Sequence, residues 1–205
     1  MISTQGTQSN NDNQFTPSFI GIGVHFMKIN SLETFVATTG STQIIFNLET
    51  EPITDEGFKH FDGNAGQTGK VKTFFLKSDG QQKEFFSNLR TIATKLGVET
   101  ELDAVNNQNL PSFDAYVAAV SPILNKAGYA WFKVAGDEYE KSNGKVGVSL
   151  RFARYGFVAS TTEGETHLTP IDSTNKFDLK KLEVIQEGSP IVNGGTELPA
   201  GGNMY

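Results

Sequence analysis

Between Tyr129 and Val158 the chain reads "YAWFKVAGDEYEKSNGKVGVSLRFARYGFV", two runs of alternating side chains around a Ser-Asn-Gly turn. Strict alternation over such lengths suits a half-buried strand, because successive side chains leave opposite faces of the backbone. The turn between the runs predicts a hairpin. On one face Ala130, Phe132 and Val134 line a core, joined by Val146, Val148, Leu150 and Phe152 from the second run. The other face carries Tyr129, Trp131, Lys133, Ser149, Arg151 and Tyr155. Arg154 interrupts the inward series and marks a bulge or strand end.

The same period recurs upstream. "GVHFMKINSLETFVATTGSTQIIFNLET" reads as two strands about a Thr-Gly-Ser turn, and "KVKTFFLKS" as a third strand beyond a loop rich in turn formers over residues 51–69. In that third strand Val71, Thr73 and Phe75 share one face, while Lys70, Lys72, Phe74 and Leu76 share the other. "DGQQKEFFSNLRTIATKLG" changes to helical spacing. Asp79 with Gln82 predicts the cap, Gly97 the stop, and Phe85, Phe86, Leu89, Ile92, Ala93 and Leu96 the buried stripe. A further helical piece runs from Ser112 to Lys126, bent or restarted at Pro122. Three strands, a helix and two strands is the order of an OB-fold, so the expected fold class is mainly β with helices. It is a five-stranded OB-fold-like barrel with a long helix between strands 3 and 4.

The ends are different in composition. Residues 1–21 are polar and form an expected flexible arm; 22–160 form the expected domain; 161–205 form an acidic, Gly- and Pro-rich tail, with a short strand or helix allowed near Phe177 to Ile185. The 205 residues include no cysteine, which excludes disulfides, thiol catalysis and cysteine metal sites. No membrane span or signal peptide is seen, and a cytoplasmic protein is expected. The net charge of −6 is unevenly spread: residues 66–95 carry +4 and 126–160 carry +3, whereas 161–205 carry −4. A local basic groove on an acidic protein follows from such segregation.

Catalytic signatures are weak. His25, His60 and His167 have no metal-ligand spacing, and Asp137, Glu138 and Glu140 abut a turn where exposed acids are ordinary. The glycines at 21, 23, 63, 66 and 69 match neither a P-loop nor a dinucleotide fingerprint. No enzyme, cofactor or metal is expected. By contrast, three strands each offer a cation and an aromatic ring on the outward face. Rings stack on bases and cations neutralise phosphates, without demanding a particular base. The candidate contacts are therefore Lys70, Lys72, Phe74, Tyr129, Trp131, Lys133, Arg151 and Tyr155.

With this order and this face, the segments "KVKTFFLKSDGQQKEFFSNLRTIATKLG" and "GYAWFKVAGDEYEKSNGKVGVSLRFARYGFV" make the chain resemble phage-type single-stranded DNA-binding proteins with an OB-fold. The resemblance implies a non-enzymatic protein that coats single-stranded DNA during replication and recombination. It also implies recruitment of replication or recombination proteins by an acidic tail ending in an aromatic residue. Here Tyr205 is terminal, but "NGGTELPAGGNMY" holds only one acid, Glu197. A homo-oligomer is compatible with the flexible ends. The alternative is a virion structural or assembly protein, in which polar, Gly-rich arms flank a β-domain.

Overall fold

The computed structural model describes residues 20–38, 40–52, 66–73 and 76–182. Among these described residues the fold is mainly β, with one sheet of seven strands and three α-helices. Strands β1 (Gly23–Val36), β2 (Thr42–Thr50), β3 (Thr68–Lys72), β4 (Tyr129–Glu140) and β5 (Val146–Phe152) lie in the order β3-β2-β1-β4-β5, all antiparallel to their neighbours. Helices α1 (Asp79–Leu96), α2 (Glu99–Asn106) and α3 (Phe113–Lys126) occupy the connection from β3 to β4. The expected closed barrel is not completed by a ladder. β3 and β5, the ends of the five-strand path, approach each other without pairing, and a cleft bordered by Ile22, Leu48, Gly69, Val148 and Leu150 lies there.

β1 reaches both halves of the sheet because it changes register midway. Gly23 to Lys28 pair with β4, Met27 to Val36 pair with β2, and the register shifts between Ile29 and Ser31. Met27 and Ile29 point into the core, and the extra residue moves the next inward position to Leu32. A bulge strands backbone groups, which must find partners elsewhere. Here α3 supplies them: Leu32 N donates to Ser121 Oγ at 2.9 Å, and Asn125 Nδ2 donates to the Asn30 carbonyl at 2.8 Å. Pro122 sits between these two docking residues inside a helix that runs through it; of the bend or restart expected there, the restart does not occur.

One core lies between the sheet and the helices. Ile44, Phe46 and Leu48 from β2, Val71 from β3 and Ala130, Phe132 and Val134 from β4 meet Phe85, Leu89, Ile92, Leu102, Val120 and Leu124. α1 starts one residue earlier than its expected cap. Ser78 accepts from Gln81 N, and the Gln81 side chain accepts from Ser78 N, completing a capping box. Gly97 ends the helix in the left-handed region (φ 73°), as its position predicts. Phe86, placed in the buried stripe by spacing, is instead 40% exposed. Val146 and Val148 are also exposed, because the β4–β5 hairpin runs beyond the core and pairs them with Glu140 and Glu138.

Packing continues past residue 160. After β5 the chain forms β6 (Val158–Ala159), a 3-10 turn (Glu165–His167) and β7 (Leu179–Lys180). β6 and β7 both pair with β4, the latter in parallel. We call residues 153–182 the strap. Its first anchor is Glu163, whose carboxylate is ion-paired with Lys95 of α1 and accepts from Ser160 N at 2.8 Å. The hydrogen bond from Lys95, then that from the Ser160 backbone, holds the Glu163 carboxyl down at about 2. A depressed carboxyl stabilises the fold above its ordinary 4.5, and that contribution disappears as pH falls from 4.5 toward 2. The Glu163→Gln variant should therefore lose less melting temperature on acidification through this window than the wild type. Parallel acid melting curves would sink the assignment.

Candidate nucleic-acid interface

β4 is buried on both sides, and this redistributes the residues expected to form a binding face. Lys70 and Lys72 of β3 are exposed as expected, with Lys70 Nζ 3.4 Å from Glu33. Phe74 lies outside the described residues. Tyr129 is half-buried. Its ring stacks on Phe26 at 5.4 Å, Lys28 Nζ lies 5.9 Å from its centroid, and burial pushes its hydroxyl pKa up. Trp131 is 5% exposed, packed on Phe26 at 5.2 Å within a small second core that includes Ala159 and Leu168. Lys133 is 4% exposed; its Nζ lies 2.9 Å from Asp178 and donates to Thr169 Oγ1 at 3.2 Å. Arg151 is largely buried, with Nε 3.0 Å from Asp137. Tyr155 is 71% exposed.

The outward face was thus placed on the correct side of β4, yet it is not a surface. The strap covers it, so Trp131 and Lys133 are corrected from exposed contacts to buried packing residues. Ala159 and Leu168 provide the apolar cover over Trp131, and Asp178 provides the counter-charge for Lys133. A segment so poor in large apolar residues reads locally as tail. It docks because a buried ammonium is costly to leave unpaired, and Asp178 removes that cost.

The same docking builds a groove of about 570 Å³ next to β3, β5 and the first turns of α1. Lys72, Arg151, Arg154, Lys176, Lys180 and Lys181 line it, against only Glu84 and Asp137 of opposite sign. Since Arg151 engages Asp137, the remaining five cations carry the groove's positive field. Phe46, Phe85 and Phe152 provide apolar lining. The exposed Phe177 ring lines it, and the exposed Tyr155 ring lies beside the lining residue Arg154. The Arg154 guanidinium is 5.4 Å from the centroids of both Tyr155 and Phe177, and Lys176 Nζ is 5.6 Å from Phe177. Cations held against exposed rings are the combination expected on the third strand and the hairpin, here displaced to the strap.

Sequence reasoning missed Arg154, Lys176, Phe177, Lys180 and Lys181. Net charge hid the three lysines among them, because residues 161–205 sum to −4 while all three of their lysines fall between 176 and 181. Arg154 was read as a bulge or strand end rather than as a contact, and β5 ends at Phe152. The weak catalytic candidates have structural partners. Asp137 pairs with Arg151, and Glu138 accepts from Leu182 N at 2.9 Å. His25 Nε2 lies 3.1 Å from the Gly21 carbonyl, and His167 stands 3.7 Å from Glu163; His60 is outside the described residues. Among the described residues no group of three His, Asp or Glu could hold a metal ion, and no helix is long and apolar enough to cross a membrane. The sequence matches no protein-family model and no curated protein.

Proposed function

We propose that this is a single-stranded DNA-binding protein without catalytic activity, and that the groove beside β3, β5 and the strap receives the strand. The observation that carries the reading is the gathering of Lys72, Arg154, Lys176, Lys180 and Lys181 with the exposed ring of Phe177 in one groove, with the exposed Tyr155 ring against Arg154. Phosphates would meet the cations, and unstacked bases would meet the rings, each stack contributing about 1–3 kcal/mol. The topology supports the same reading. An order of β3-β2-β1-β4-β5, a bent β1 shared by both halves and helices between β3 and β4 fit an OB-fold-type barrel whose last seam is β3 against β5. Coating of single strands during replication and recombination is the role such binding would serve.

The test is a titration of labelled oligo-dT followed by anisotropy at increasing salt. Four or five phosphates held in the groove should give a slope of log affinity against log salt of roughly −3. Trp131 is a poor reporter, because its indole is buried away from the groove. No binding at low salt would sink the proposal.

A further inference from the structure

The groove also contains groups that phosphate binding does not need. α1 contributes Gln81, Glu84, Phe85 and Asn88, spaced so that one helical face lines the groove. Phe85 belongs to the core, and the Gln81 oxygen is engaged in the helix cap by Lys77 N at 2.9 Å and Ser78 N at 3.1 Å. Glu84 and Asn88 have no such duty: among the described residues neither side chain has a hydrogen bond or an ion pair. A free carboxylate in a groove for phosphates weakens binding by repulsion, unless it meets something other than phosphate. Base edges offer that alternative. A carboxylate accepts from the exocyclic amine of cytosine, and an asparagine amide matches the paired donor and acceptor of adenine; thymine presents a carbonyl oxygen where cytosine has its amine. A volume near 570 Å³ falls within the range that holds a nucleotide-sized ligand, and the half-buried Leu76 and Phe152 offer apolar surface to a ring.

We infer that the groove reads bases as well as phosphates. One nucleotide sits with its base edge on Glu84 and Asn88 and its flanking phosphates on Lys176, Lys180 and Lys181, which gives cytosine and adenine an advantage over thymine. The inference rests on the single-stranded DNA-binding reading above and adds base preference to it.

Oligo-dC and oligo-dT of equal length, titrated at one salt concentration into the wild type and Glu84→Ala, separate the two. The wild type should bind oligo-dC roughly five- to ten-fold more tightly than oligo-dT. Glu84→Ala should bind oligo-dT more tightly than the wild type does, because repulsion is gone, and the dC to dT ratio should fall to within about two-fold. Equal wild-type affinities, or a ratio unchanged in Glu84→Ala, would overturn base reading and leave strand binding intact. Failure of both oligonucleotides to bind the wild type would overturn strand binding and base reading together.

Discussion

Replacing Asp178 with alanine is expected to release the strap from β4 while the rest of the sheet stays folded. The Asp178 carboxylate is the counter-charge of Lys133 at 2.9 Å, and both side chains are nearly inaccessible. It also accepts from Asp172 N at 2.9 Å, so one side chain ties β4 to two points of the strap. Removing one member of a buried pair costs about 3–5 kcal/mol when the other stays buried. Undocking avoids that cost by returning Lys133 to water. Three readouts should move together. Trp131 emission should shift to the red as Leu168 and Ala159 leave it, amide exchange should accelerate across 158–182, and oligonucleotide affinity should drop as Lys176, Lys180 and Lys181 lose their common placement. Lys133→Met should release the strap as well, because it leaves the Asp178 carboxylate buried without its counter-charge. Wild-type Trp131 emission in Asp178→Ala would show that the pair does not hold the strap.

The largest effect on binding is expected from neutralising Arg154, Lys176, Lys180 and Lys181 together to glutamine. All four are exposed, so the fold should change by no more than about 0.5 kcal/mol per site. If each meets a phosphate, the salt slope should flatten by about 0.7 per site, and affinity at low salt should fall by roughly two to three orders of magnitude. Lys126→Gln, on α3 and outside the groove, should leave both quantities unchanged. Wild-type affinity and slope in the fourfold variant would place the strand on another surface.

Local patterns carried the strands and not the strap, for a physical reason. Alternation placed Ala130, Phe132 and Val134 inside correctly, because burying one face of a strand is a local requirement. It also separated Trp131 and Lys133 onto the opposite face correctly. What covers that face depends on Lys133 meeting Asp178 across 45 residues, and no periodicity encodes such a pair. The bulge of β1 was not anticipated, because the parity switch between Ile29 and Leu32 shows only once the partners on either side are known. The helix α2 was overlooked because Glu99–Asn106 buries only Leu102 and Val105 and has no side-chain cap. The candidate site suffered most: a groove formed by three distant segments shows its charge only after folding.

Among the described residues the margins of β3 and β5 carry no further strand, although Ile20 N donates to the Thr68 carbonyl at 3.0 Å, and this has a consequence for the protein in crowded solution. A strand with an open margin offers its amides and carbonyls as a template for another chain. On β3 the exposed side chains of this margin include Lys70 and Lys72, on a strand of only five residues. Brevity and like charge both discourage two copies from zipping together there. The lysines that an outward-facing strand seemed to reserve for a ligand therefore also act as gatekeepers against self-association.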